Sequence, residues 1–115
     1  MRTIGFGTAG WDETYPGVWR QTASAQRMTL TLYRFDPGAA FPMHRHDQEQ
    51  LAFVLRGSVE FQNTRARMTC RANELIFIPP NELHSATAGP EGAEVVSVVS
   101  PARRGTDDYT VEGRG

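Results

Sequence analysis

The chain holds three histidines, and two of them, His44 and His46, stand two residues apart in the run Met43-His44-Arg45-His46-Asp47-Gln48-Glu49-Gln50. The third, His84, follows Pro79-Pro80-Asn81. In an extended segment residues i and i+2 share a face, so both imidazoles of the pair can enter one cavity. Two neutral ring nitrogens presented in this way suit a divalent transition metal. Asp47-Gln48 reads as a bend, after which the chain is extended again. There Gln50, Ala52 and Val54 share one face, and Glu49, Leu51, Phe53 and Leu55 share the other. If Gln50 faces the histidines, its carboxamide oxygen is a third ligand. Glu49 is then either a surface carboxylate or, if the bend ends one residue earlier, a base or further ligand beside the metal. A lone histidine is ordinarily a surface or satisfied core residue. Here every histidine falls inside one of two segments framed by glycine, proline or asparagine turns, which favours a common site.

Short extended elements must hold these residues. The stretch 28–35 alternates Met28, Leu30 and Leu32 against Thr29 and Thr31 and is β-branched and aromatic in content. Asp36-Pro37-Gly38 is a turn, because proline presets φ and glycine accepts a positive φ. Further strands are predicted over 41–46, 50–56, 58–62, 66–71, 75–78, 83–88 and 93–99. Turns separate them at Arg56-Gly57, Asn63-Thr64, Ala72-Asn73, Pro79-Pro80-Asn81 and Gly89-Pro90. No segment has a helical period. Closely spaced strands with turns between them predict an all-β sandwich or barrel. Residues 1–27 form an N-terminal arm and first strand, residues 28–100 the barrel, and residues 101–115 a polar tail, all within one domain. Gly5, Gly7, Gly10, Pro16 and Gly17 make residues 1–17 irregular, while Trp11, Tyr15 and Trp19 should pack on the barrel or on a second subunit. In the tail Tyr109 and Val111 can pin the chain before its last residues fray.

Composition narrows the class. A chain of 115 residues with 39% hydrophobic and 22% charged residues is one ordinary globular domain. Its formal charge is −1, from 12 basic and 13 acidic residues, and its longest basic run is Arg103-Arg104. Phosphate recognition needs a concentrated basic face, so nucleic acid is not the expected partner. Apolar runs are too short to span a membrane, and the N-terminal stretch lacks the apolar core of a signal peptide. The single cysteine, Cys70, excludes an internal disulfide and reads as a small buried hydrophobe. Together these features predict a cytoplasmic setting.

The two framed segments resemble the motifs of the cupin superfamily. Cupin motif one is Gly-x5-His-x-His-x3,4-Glu-x6-Gly, and here the same spacing is filled by Gly38, His44, His46, Gln50 and Gly57. Motif two, Gly-x5-Pro-x-Gly-x2-His-x3-Asn, is matched by Asn73, Pro79, Asn81, His84 and Ala88, with asparagine twice in place of glycine. The resemblance implies a single-domain cupin, a double-stranded β-helix or jelly-roll β-barrel. It implies one divalent transition metal (Zn, Ni, Fe or Mn) on His44, His46, Gln50 and His84. A subset of small cupins carries His-x-His-x-x-Glu-Gln with the glutamine as ligand, and residues 44–50 fit it. In size and layout the chain is similar to the unsaturated-uronate-ketonising cupins of pectin and alginate degradation, whose closing strand reads Asp-x-Phe-x-Pro-x-Arg. Here that stretch is Ser97-Val98-Val99-Ser100-Pro101-Ala102-Arg103, so Arg103 matches while Ser97 and Val99 replace Asp and Phe. The Asp-Tyr that follows comes later than in that group, at Asp108-Tyr109.

The resemblance thus implies Arg103 as a catalytic candidate and the positions of Ser97 and Val99 as candidate substrate contacts; Glu49, beside the histidines, is a second catalytic candidate, and Tyr33 and Arg34, near the end of the strand that leads to motif one, are further candidate substrate contacts. Arg103 suits a substrate carboxylate, only one of Tyr33 and Arg34 can face the cavity, and Met43 and Phe61 read as core. The expected function is metal-dependent isomerisation, tautomerisation or cyclisation of a small oxygen-rich molecule through a stabilised enolate, with a uronate-like or polyketide-like substrate. A dioxygenase and a non-catalytic small-molecule-binding cupin are the alternatives. A homodimer is expected, paired through sheet edges and swapped N-terminal segments.

Overall fold

The computed structural model describes residues 1–6, 10–105 and 109–111. Gly7, Asp108 and the last four residues, on which some of the expectations above fall, lie outside the described residues. Nine strands form, and no helix is present among the described residues: β1 Asp12–Tyr15, β2 Val18–Ser24, β3 Thr29–Phe35, β4 Ala40–Arg45, β5 Glu49–Gln62, β6 Arg67–Arg71, β7 Leu75–Ile78, β8 His84–Ser100 and β9 Thr110–Val111.

The two long strands organise everything else. β5 and β8 pair antiparallel from Glu49↔Ser100 to Gln62↔Ser85. The first half of β5 and the second half of β8 lie with β3, β2, β1 and β7. The other halves lie with β4, β6 and β9. The result is two sheets that share their central strands and close on one core, the jelly-roll arrangement expected. Val18, Val54 and Val59 are completely enclosed, and burial of each contributes about 1.5–3 kcal/mol.

Arg56-Gly57 and Gly89-Pro90 were expected as turns and are not. They are the corner at which β5 and β8 pass, unbroken, from one sheet to the other. The ladder shifts register between Val54 and Arg56 and again between Gly57 and Val59. Gly57 and Gly92 have φ of 75° and 74°, a conformation that bends a strand without ending its pairing. A Cβ on Gly57 would overlap the carbonyl oxygen of Gly92. The asparagines at the true turns behave as expected, with φ of 71° at Asn73 and 65° at Asn81.

The N-terminal arm is more ordered than its glycines suggested. β1 folds back through Pro16-Gly17 onto β2 of its own chain, and the Gly17 amide donates to Glu13 Oε2 at 3.0 Å. Tyr15 packs edge-on against Phe41 with ring centroids 4.8 Å apart. At the other end β9 pairs with β4, setting Val111 opposite His44, so Tyr109 and Val111 do pin the tail. In β3 the usual parity is inverted. Thr29 and Thr31 are buried with Tyr33 and Phe35, while Leu30 and Leu32 take the outer face and are only partly buried.

Gly57→Ala should cost about 3 kcal/mol or more, because it combines a left-handed φ with a backbone overlap. Urea unfolding of the variant checks this, and an unchanged midpoint would contradict the corner geometry.

Candidate metal centre

Each histidine sits where a strand meets a turn. His44 is in β4, directly opposite His84 at the start of β8, and His46 follows immediately after β4. The Asn81 amide donates to the His46 carbonyl at 2.8 Å and so ties the two histidine segments together. All three rings are buried, and their ligand atoms lie within 4.8 Å of one another.

Backbone carbonyls decide how the rings are protonated. His44 Nδ1 lies 2.7 Å from the Pro42 oxygen, His46 Nδ1 3.0 Å from the Gln48 oxygen, and His84 Nδ1 2.8 Å from the Glu82 oxygen. A carbonyl only accepts, so each Nδ1 carries the proton and each Nε2 keeps a bare lone pair. Burial holds the rings neutral. It lowers His44 to about 3, helped by the neighbouring His84, and lowers His84 to about 4, helped by His46 and Arg103. His46 is lowered as well, again chiefly by burial.

Gln50 completes the set. It is buried on the inner face of β5, and its Oε1 lies 3.0 Å from His46 Nε2. Its Nε2 donates to Ser97 Oγ at 2.9 Å, which turns the amide oxygen toward the histidines. Two acceptors therefore face each other across 3.0 Å, an arrangement that a shared cation relieves. His84 Nε2 is also buried with no hydrogen-bond partner, a costly state unless it serves as a ligand. The residues thus fit a divalent metal held by His44, His46, Gln50 and His84, a neutral set open to Zn, Ni, Fe or Mn.

Beside these ligands is a cavity of about 30 Å³, room for a water-sized group or two. Its walls are mostly apolar, from Phe35, Phe41, Phe61, Ala52, Ala86 and Val95, with Tyr33, Ser97 and Arg103 supplying the polar atoms outside the ligand set. The Arg103 backbone amide donates to Thr29 Oγ1 at 2.9 Å, and its guanidinium lies 5.8 Å from the Tyr109 ring centre. Tyr109 in turn lies 5.4 Å from the His44 ring and shares a 3.1 Å hydroxyl contact with Tyr15. A second cavity, of about 260 Å³, reaches His84 from the side of β6 and β7.

The structure sorts the remaining candidates. Tyr33 lines the cavity, whereas Arg34, its neighbour in the pleat, is exposed and lies 4.6 Å over the Trp11 ring. Glu49 is exposed on the outer face of β5, because the strand begins there and parity sends it away from Gln50. Ser97 is inside but engaged by Gln50. Val99 is buried on the same face, one pleat beyond the cavity wall. Phe61, read as core, packs in the core and also lines the cavity. Cys70 is buried, and burial pushes its thiol up, as suits a packing residue. Sequence reasoning missed the Tyr15–Phe41–Tyr109 cover over His44 and the buried Gln48, whose carbonyl anchors His46. Spacing alone could not signal them.

Comparison with known proteins gives the family and the fold. The Cupin domain family matches residues 31–99. A dimethylsulfoniopropionate lyase, DddW of Ruegeria pomeroyi, is 34% identical over 91 residues, which is 74% of this chain and 60% of that protein. The chain therefore spans less than two thirds of that relative's length. Among solved structures, KdgF from Halomonas sp. superposes with a TM-score of 0.77 at 24% identity, over 83% of this chain and 88% of that one. An RmlC-like cupin from Shewanella frigidimarina gives 0.79 at 24% identity, over 90% and 95%. A variant of Bacillus subtilis oxalate decarboxylase gives 0.87 at 18% identity, over 95% of this chain and 32% of that one. These likenesses establish the fold.

Ser97→Ala frees the Gln50 amide, and metal affinity should fall about 10- to 100-fold while the metal-free protein melts nearly as before. Competition against a chelator reads the first effect and calorimetry the second. Acid should also weaken the metal-free fold. Below the ordinary histidine value of 6.5 the unfolded chain takes up protons that the folded rings, at about 3 and about 4, refuse. Stability therefore drops as pH falls from about 6.5 toward 4. A urea midpoint that stays flat across that window would contradict the neutral rings.

Proposed function

The chain belongs to the cupin family, and on that premise we propose a metal-dependent enzyme that moves a proton at a C–H beside a carbonyl or carboxylate of a small anionic substrate, and so isomerises or tautomerises it. One observation carries the reading: three bare imidazole nitrogens and an amide oxygen converge beside a small, mostly apolar cavity, with Arg103 the only charged side chain in its wall among the described residues. A divalent metal bound there supplies Lewis acidity, which polarises a carbonyl oxygen and makes the adjacent C–H easier to deprotonate.

The chain's own residues do the rest. The Arg103 guanidinium pairs with a substrate carboxylate and fixes its orientation. Phe35, Phe41 and Phe61 keep bulk water from the reacting carbon. Among the described residues no carboxylate lines the cavity, and the Ser97 hydroxyl is held by Gln50. Tyr33, whose hydroxyl makes no hydrogen bond to another described residue, is left as the group that passes a proton to or from the substrate. The narrow cavity favours a small acid over a polyketide-sized molecule.

A second outcome of the same proton removal is β-elimination. The likeness to a lyase acting on dimethylsulfoniopropionate favours it, since loss of the proton next to the carboxylate would be followed by departure of the β-substituent. Proton NMR in deuterated buffer separates the two outcomes. With an unsaturated monouronate, isomerisation shows as deuterium entering the carbon beside the carbonyl. With dimethylsulfoniopropionate, elimination shows as acrylate and dimethyl sulfide.

Elemental analysis should find one divalent metal per chain, lost in His44→Ala and reduced in Gln50→Ala. Arg103→Gln should raise KM at least about 10-fold with a smaller change in kcat. Metal content and turnover that survive the combined loss of His44 and His46 would sink the proposal. Oxygen uptake in step with turnover would replace it with a dioxygenase.

A further inference from the structure

The barrel is open along one side. β6 pairs with the second half of β5 and β7 with its first half, and among the described residues no ladder joins β6 to β7. The cavity of about 260 Å³ fills this gap, and it is far larger than the space of about 30 Å³ beside the donor set. Met68 stands opposite Phe61 in the ladder, and Ile76 opposite Ala52. Opposed residues share a face, so the apolar side chains of the inner surface line the gap. With no strand to cover them, Met68 is 57% exposed and Phe77, on the edge strand, 53%. Phe61 and His84 line both cavities.

One charge stands in these walls. Among the described residues Glu82 is the only charged side chain of the larger cavity, and it is half-buried. Its backbone is committed, because the carbonyl accepts from His84 Nδ1 at 2.8 Å and the amide donates to the Pro79 carbonyl at 3.4 Å. Its carboxylate makes no hydrogen bond or ion pair with another described residue. A neutral apolar occupant would strip water from that carboxylate and give nothing back. A small hydrated cation would leave the apolar walls unused. A cation with apolar faces satisfies both. We propose that this cavity binds a small alkylated organic cation of the quaternary ammonium class, with Glu82 as counter-charge and Phe61 and Phe77 as aromatic contacts. The site stands on this cavity alone and does not depend on the reaction proposed above. Because His84 lines both cavities, two sources share the recognition chemistry: a free cation lying behind a metal ligand, or the cationic end of the substrate.

The probes are choline and its uncharged isostere, in which a tert-butyl group replaces trimethylammonium. Titrated into the metal-free chain and followed by the methyl NMR signals of Met68 and Ile76, choline should bind at least about 10-fold tighter than the isostere. Glu82→Gln keeps the backbone carbonyl that holds His84, and it should bring that ratio to about 3-fold or less with an unchanged melting temperature. Glu60→Gln, which removes an exposed carboxylate from β5, should leave the ratio as it was. Equal affinity for the two probes overturns the proposal and makes the cavity merely apolar. So does a preference that survives Glu82→Gln, one lost equally in Glu60→Gln, or a choline dissociation constant above about 100 mM. Titration of the metal-loaded chain with a trimethylammonium carboxylate separates the two sources. An affinity above that of choline, with the increment lost in Arg103→Gln, makes the cation part of the substrate. A carboxylate that adds nothing makes it a free effector. A failed isomerisation or elimination assay leaves choline binding untouched, so the two proposals fail separately.

Discussion

The centre depends on one repeated interaction, an imidazole Nδ1–H held by a backbone carbonyl two residues away. It occurs at all three histidines, with Pro42 and Glu82 preceding their rings and Gln48 following its own. Because the acceptors belong to the backbone of the same short segments, ring orientation is set as soon as the turns form. The bare Nε2 atoms then point the same way, and burial keeps them neutral at ordinary pH. The hydrogen bond between the Asn81 amide and the His46 carbonyl makes the two turns a single unit. Without this arrangement three histidines in one cavity would be three competing bases. With it they are a preorganised donor set.

The second determinant is that, among the described residues, the donor set and cavity wall carry no negative charge. Gln50 rather than Glu49 takes the inward position, and Ser97 stands where the similar uronate-ketonising cupins have an aspartate. A bound cation would keep its full charge toward a substrate, and Arg103 adds to the attraction for an anion. Ser97 Oγ accepts a hydrogen bond from the Gln50 amide and orients it. On the proposed reading, the residue at this position acts through Gln50 rather than on the substrate.

Much of this was legible in the residues themselves. Parity in the strand after the bend set Gln50 and Glu49 on opposite faces, the motif spacing put Gln50 at the ligand position, and the structure buries Gln50 and exposes Glu49. The i, i+2 spacing paired His44 with His46, and the second framed segment brought in His84. What was not legible depends on contacts between distant segments. The Gln50–Ser97 bond spans 47 positions, and no local pattern announces it. Glycine was the main source of error. Gly57 has the positive φ that turns use, but its neighbours continue pairing through the corner, so two expected strands become one. In β3 the small polar threonines occupy the inside and the leucines the outside. Alternation shows which residues share a face, and only the surrounding fold shows which face is inward.

The alternation of β5 has a consequence for how such a chain can change over time. Successive residues serve opposite surfaces, Gln50 the donor set and Leu51 the outer apolar face, and the same holds for Ser97 and Val98 on β8. A one-residue insertion or deletion in either strand would exchange these assignments along the remaining ladder. A leucine would then stand at the donor position and a glutamine on the apolar face. Insertions and deletions would leave both faces intact only at turns such as Ala25-Gln26 and Thr64-Arg65, outside the ladder. Within the strands, diversification must proceed by substitution, one face at a time.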